Sequence, residues 1–206
     1  MKLDNFSINT KKTLNFLIFL FPGTFIAGNA AVNINLILIS IIGILFYKKE
    51  VFKLDRNLIT VCLVMFFVYV IIATILDHLV NSSNNNILKS IIYLRYLIFL
   101  LVLCCMVKKN DLNFKYLIFS CFLFSSIVSL TVLHEEITGQ NLLGYRAHPY
   151  HNPGILGDEL ISGGYIQKFA CLGIFFTTFV LTKKNKMLFF CLLASVIFFS
   201  FSIFFS

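Results

Sequence analysis

Long apolar runs separated by short polar segments dominate the chain. The hydrocarbon core of a bilayer is about 30 Å thick, so a crossing helix needs about 20 residues. Five runs reach that length: 57–76, 87–107, 116–134, 160–181 and 187–205. A further apolar region, 14–47, would be about 51 Å long as one helix, too long for a single crossing. Pro22-Gly23 and Gly28-Asn29, followed by Asn33 and Asn35, supply breakers near its middle. The pattern therefore predicts a tight hairpin, 14–27 and 31–47, and seven spans in all. The expected fold class is all-α, a polytopic transmembrane helical bundle forming a single domain over residues 1–206.

Charge orients these spans. Lys2, Lys11 and Lys12 precede the hairpin, and Lys48, Lys49, Lys53 and Arg56 follow it. Lys108, Lys109 and Lys115 separate the fourth and fifth spans; Lys183, Lys184 and Lys186 separate the sixth and seventh. These are 13 of the 17 basic residues, and one topology puts them all on one side. Positive clusters mark the cytoplasm, so the N-terminus is expected inside and Ser206 outside. The opposite loops hold Asp77, Glu135, Glu136, Asp158 and Glu159, with His78, His134, His148 and His151. A cleaved signal peptide, with 14–21 as its apolar core and Gly28-Asn29-Ala30 as cleavage site, is the competing reading of the start. It leaves the downstream topology unchanged. The chain stops inside an apolar run, which predicts a fragment of a longer protein.

Composition adds the class. Apolar residues make up 59% and charged ones 13%, with a mean hydropathy of +0.90. A soluble domain has about 25% charged residues, so soluble, disordered and coiled-coil classes are excluded. The net charge of +8 follows from the clusters between spans and implies no nucleic acid partner. Cys62, Cys104, Cys105, Cys121, Cys171 and Cys191 all lie in apolar runs, without a CxxC, and are expected to be free thiols. With 25 Phe and no Trp, an interfacial aromatic belt must be built from Tyr and Phe.

One polar segment is long. The outer loop 135–159 carries Arg146 as its only Lys or Arg, and long loops in compact chains are either functional or connectors. His148 and His151 within it lack further ligands for a metal, so no metal and no cofactor is expected. Asp158 and Glu159 open the sixth span, where carboxylates suit the helix dipole. Inside spans, charge is costly and by default marks a functional site. Arg95 and Lys168 each lie about 12 Å from the outer surface in their spans, and no carboxylate shares that level. Snorkelling is the bland account, better suited to Lys168. The functional one is an anionic ligand such as a lipid-carrier phosphate, which suits the planar donor fork of Arg95.

These residues carry a resemblance. The opening hairpin, 16–38, the stretch Ser-Ile-Ile-Tyr-Leu-Arg-Tyr-Leu-Ile-Phe at 90–99, and Tyr145-Arg146 followed by the Gly-rich 154–169 resemble bacterial O-antigen ligases and polymerases. The likeness covers nearly all of this chain but only the first half of a family member. It implies an inner-membrane, multi-pass glycosyltransferase of polysaccharide biosynthesis. Such enzymes move a glycan from undecaprenyl pyrophosphate to the lipopolysaccharide core or to a growing chain. The resemblance makes Arg146 the catalytic arginine that holds pyrophosphate. Arg95 and Lys168, from their depth, would help bind the carrier. The family's later outer loop, with a further arginine and a histidine, would lie beyond Ser206, so this chain alone is not expected to be active. The competing classes are a non-catalytic membrane subunit, a truncated product, and a transporter or flippase component. The last would show internal repeats, and none is visible.

Overall fold

The computed structural model describes residues 2–53, 58–81, 84–142, 152, 154–156, 161–180 and 185–206. They are all-α, as the apolar pattern requires. The helices are α1 (Lys2–Ile26), α2 (Asn29–Tyr47), α3 (Leu58–Asn81), α4 (Asn84–Lys108), α5 (Phe114–Thr138), α6 (Ser162–Val180) and α7 (Asn185–Phe204). Two 3-10 turns, Lys48–Glu50 and Gly154–Leu156, join them, and no β-strand occurs among the described residues. Among the described residues, three stretches are long and apolar enough to cross a membrane: Asn29–Glu50, Thr60–Leu79 and Phe114–Thr138. In Thr60–Leu79 only 6% of the apolar window is buried, and Met65, Tyr69 and Leu79 are among its most exposed side chains. A helix apolar on its outward faces needs lipid around it, because water would leave that surface unsatisfied. The chain is a helical membrane protein.

The expected hairpin changes in detail. Helix α1 runs straight through Pro22 and ends at Ile26. Proline removes one N–H and crowds one carbonyl, which a helix packed among neighbours tolerates when other donors serve the backbone nearby. Pro22 is fully buried, and the Tyr165 hydroxyl donates at 2.9 Å to Pro22's own carbonyl, not to that of Ile18, which loses the proline's N–H. The break between α1 and α2 falls at Gly28, beside the expected gap between 14–27 and 31–47; its φ of +99° is left-handed backbone open to glycine at little cost.

Contacts divide the chain into two compact units. The first comprises Met1–Ile18 with Ala30–Leu112, and the second Phe19–Asn29 with Asn113–Ser206. In the first, Asn35 of α2 donates to the Leu17 carbonyl of α1 at 3.1 Å, and Leu14, Leu36 and Ile39 are almost wholly buried. Gly43 lets α2 approach Val102 of α4, and α3 packs on α4. A polar knot closes this unit at its basic end. Asp111 pairs with Lys11 at 2.6 Å and accepts the Tyr47 hydroxyl at 2.9 Å; its carbonyl accepts Asn15 Nδ2 at 2.8 Å. Lys109 pairs with Glu50 and lies over the Tyr47 ring.

In the second unit α5 packs on α6 and α7, and α6 on α7. Val128, Val132, Tyr165, Ile166, Ala170 and Phe199 form its core. All six cysteines are free thiols, with Cys105 and Cys121 buried.

Candidate functional site

Along α5 the buried positions Cys121, Ser125, Val128, Val132 and Glu135 recur at alternating intervals of four and three, one stripe of a helix. Its first part, Cys121 and Ser125, is small, which lets helices approach closely where lipid supplies no hydrophobic drive. Opposite it, a Cβ on Gly173 of α6 would stand 2.7 Å from Phe122 Cα. The small hydroxyls satisfy themselves on their own helix: Ser125 donates to the Cys121 carbonyl at 2.6 Å and Thr131 to that of Val128 at 2.7 Å.

Glu135 ends this stripe, 1% exposed. Its Oε2 accepts the Gly154 N–H at 2.6 Å, and the Thr131 hydroxyl oxygen accepts the Ile155 N–H at 3.2 Å. Gly154 has φ +61°, and a Cβ there would come 2.6 Å from Thr131 Oγ1, so the crossing of the returning chain over α5 is shaped for glycine. Glu136 Oε2 accepts Asn152 Nδ2 at 2.6 Å; the same amide donates to the Phe205 carbonyl at 2.9 Å, and Ser162 Oγ donates to the Asn152 carbonyl at 3.2 Å. The described loop residues Asn152 and 154–156 are thus tied to α5, to Ser162 of α6 and to Phe205 just after α7. Glu135 Oε1 is buried and takes no hydrogen bond among the described residues. A carboxylate deprived of water needs such partners, so Glu135 is strongly committed to holding the returning chain.

The sequence signals for Glu135 were present. The α5 stripe continues to it at the right interval, and Gly139 caps the helix four residues later. Gly139 has φ +70° and donates its N–H to the Glu135 carbonyl at 2.8 Å, a glycine C-cap. The expected end of the span at His134 overlooks both, because two glutamates in a row read as loop.

Of the residues expected to bind an anion, Arg95 is half-buried on α4 in the first unit. Its Nη2 donates to the Tyr96 hydroxyl at 3.2 Å, and its guanidinium lies 5.0 Å from that ring's centroid. Tyr93 stacks on Tyr96, with ring centroids 5.8 Å apart. Arg95 Nε is buried and finds no acceptor among the described residues. Lys168 belongs to the second unit and is exposed on α6 between the buried Ile166 and Ala170. Arg146, His148, His151, Asp158 and Glu159 lie outside the described residues. Among the described residues no three His, Cys, Asp or Glu side chains gather as a metal site would require. Comparison with family models, curated proteins and solved structures finds no match to this chain.

Proposed function

We propose that this protein is the membrane-embedded N-terminal part of a multi-pass, inner-membrane glycan transferase of the O-antigen ligase and polymerase kind. Its substrate is a glycan on undecaprenyl pyrophosphate, and its acceptor the lipid A core or a growing chain. The observation that carries this reading is Arg95, a guanidinium in an apolar helix with a buried Nε that lacks an acceptor among the described residues. Such a group calls for an anion, and the fork of Arg suits phosphate. Tyr96 supports the plane of the guanidinium through its ring and hydroxyl, which favours a fixed orientation. Arg146 belongs to the loop whose described residues Asn152 and Gly154 bond to Glu136 and Glu135 of α5. In this reading Arg146 stabilises the charge on the departing pyrophosphate. Arg95 holds the carrier, and Lys168, being exposed, reaches toward the lipid headgroup region.

The test is genetic. The complete reading frame, expressed in a strain lacking its own transferase, restores glycan-capped lipid on a gel. Arg146→Ala abolishes that transfer with protein abundance near normal, and Arg146→Lys restores it only in part, because an ammonium lacks the bidentate fork. Arg95→Ala lowers transfer while abundance holds. Full transfer by the Arg146→Ala strain refutes the role of the loop. A loss of protein rather than activity in Arg95→Ala assigns Arg95 to folding.

A further inference from the structure

Helix α1 belongs to both compact units. The first takes its residues up to Ile18, and the second takes it over from Phe19. Each part is held by the unit that owns it. Before the changeover, Lys11 pairs with Asp111, Asn15 Nδ2 donates to the Asp111 carbonyl, and Asn35 donates to the Leu17 carbonyl at 3.1 Å. Leu14 and Ile18 are buried there. Beyond it, the Phe19 ring lies 6.2 Å from that of Phe124, and the Phe25 ring 5.4 Å from that of Phe169. A Cβ on Gly23 would stand 2.6 Å from the Phe124 ring, and the Tyr165 hydroxyl holds the Pro22 carbonyl at 2.9 Å. The two sets of anchors come from different units and meet, without overlapping, at the Ile18–Phe19 step.

A rung of α1 is missing at this changeover. An intact α-helix bonds the N–H of residue 22 to the carbonyl of residue 18. Pro22 has no N–H, and its ring crowds the Ile18 carbonyl. Sharp bends in helices gather at proline for this reason. The anchors on the Leu17 and Pro22 carbonyls bracket the gap from either side.

The chain passes from unit to unit at two other places, Asn29–Ala30 and Leu112–Asn113. The first stands at the opening of α2, just after Gly28, whose φ is +99° and whose Cβ position is open. The second lies in the link between α4 and α5, just after Asn110, at φ +54°. Hinges work through a few residues that absorb a change in φ and ψ, and one rigid crossing would lock the others. Each of the three crossings has a break in its helical hydrogen bonding at or beside it.

We propose that α1 is a hinge, bending at Ile18–Pro22 so that its two parts move with the units that hold them. Gly28 and Asn110 are the pivots of the other two crossings. The hinge uses neither Arg95 nor Arg146 and stands whether or not the transferase reading holds.

The test uses the whole chain in nanodiscs, with p-acetylphenylalanine placed at exposed positions and coupled to a nitroxide, which leaves the cysteines untouched. Leu79 of α3 and Ile137 of α5 report on one unit against the other. Leu79 with Phe52 reports within the first unit, and Ile137 with Phe204 within the second. Pulsed double electron–electron resonance gives the distance distribution of each pair. The Leu79–Ile137 distribution is expected to be several-fold wider than the other two, or split into two peaks. Pro22→Ala restores the rung and keeps the carbonyl that Tyr165 holds. It should narrow the Leu79–Ile137 distribution toward the width of the within-unit pairs and leave those pairs unchanged. Gly164→Ala, outside α1, should alter none of the three. A Leu79–Ile137 distribution as narrow as the within-unit pairs would overturn the hinge, and this width decides alone if Pro22→Ala yields no folded protein. A width that Pro22→Ala leaves as it was, or a narrowing shared by all three pairs, would overturn it too.

Discussion

Glu135 and Gly154 depend on each other at the level of single atoms. The carboxylate is buried because the Gly154 N–H and the helix around it replace water, and the glycine is required because its φ of +61° and its contact with Thr131 leave no room for a side chain. Removing the acceptor leaves a buried N–H unsatisfied, which costs about 1–3 kcal/mol. Glu135→Ala should therefore lower the thermal stability of the detergent-solubilised protein by that amount. Glu135→Gln, which keeps a carbonyl for Gly154 and carries no charge to desolvate, should stay near the parent. An unfolding curve for each variant checks this; equal losses in both would mean that the charge itself is needed. Asp111 gives the matching case in the first unit. Its side chain is 8% exposed and serves Lys11 and Tyr47 at once. Asp111→Ala orphans the Tyr47 hydroxyl and the Lys11 ammonium together. A loss of about 1–3 kcal/mol in the same unfolding measurement is the expected outcome.

Helices α5 and α6 meet through small residues, so their packing is sensitive to volume. On Gly173 a Cβ would meet Phe122 backbone atoms at 2.7 and 2.8 Å, and backbone cannot swing aside as a side chain can. Gly173→Ala should therefore push α6 from α5 and cost about 1–3 kcal/mol, the usual effect of overpacking. Gly164, on the same helix, has nothing within 4 Å of its Cβ position and no left-handed backbone. Gly164→Ala should be neutral or stabilising by about 0.4–1 kcal/mol, since alanine restricts the unfolded chain. Thermal unfolding of the two variants side by side separates close packing from helix propensity. Equal effects would show that the approach of α5 and α6 at Gly173 is looser than these distances. The glycines stand in the sequence as bare letters. Only the neighbouring helix tells which one is a contact, because periodicity marks a helix's inner face without saying how near its partner lies.

For the molecule as a whole, the charges make the strongest statement about orientation. Reporter fusions at Lys49, Lys109 and Lys184 should report the cytoplasm, and fusions at Asn84 and Asn141 the outside. An outside signal at Lys109 would invert or break the seven-span scheme. Much of this protein could be read without coordinates. Apolar run length predicted helices because backbone in lipid must satisfy its own hydrogen bonds, and each helix does occupy one of the apolar runs. The break at Gly28 was legible as well, since a glycine there is free to take positive φ. Pro22 lies inside the expected span 14–27 and inside α1, buried, with the Tyr165 hydroxyl on its carbonyl. Glu135 misled, being a loop residue by type and a core residue by its partners. Hydrophobic length is a sum over local residues, and the sequence by itself determines it. Whether a proline breaks, a glutamate is buried or one helix is held by two units depends on atoms far along the chain, and only the tertiary structure decides it.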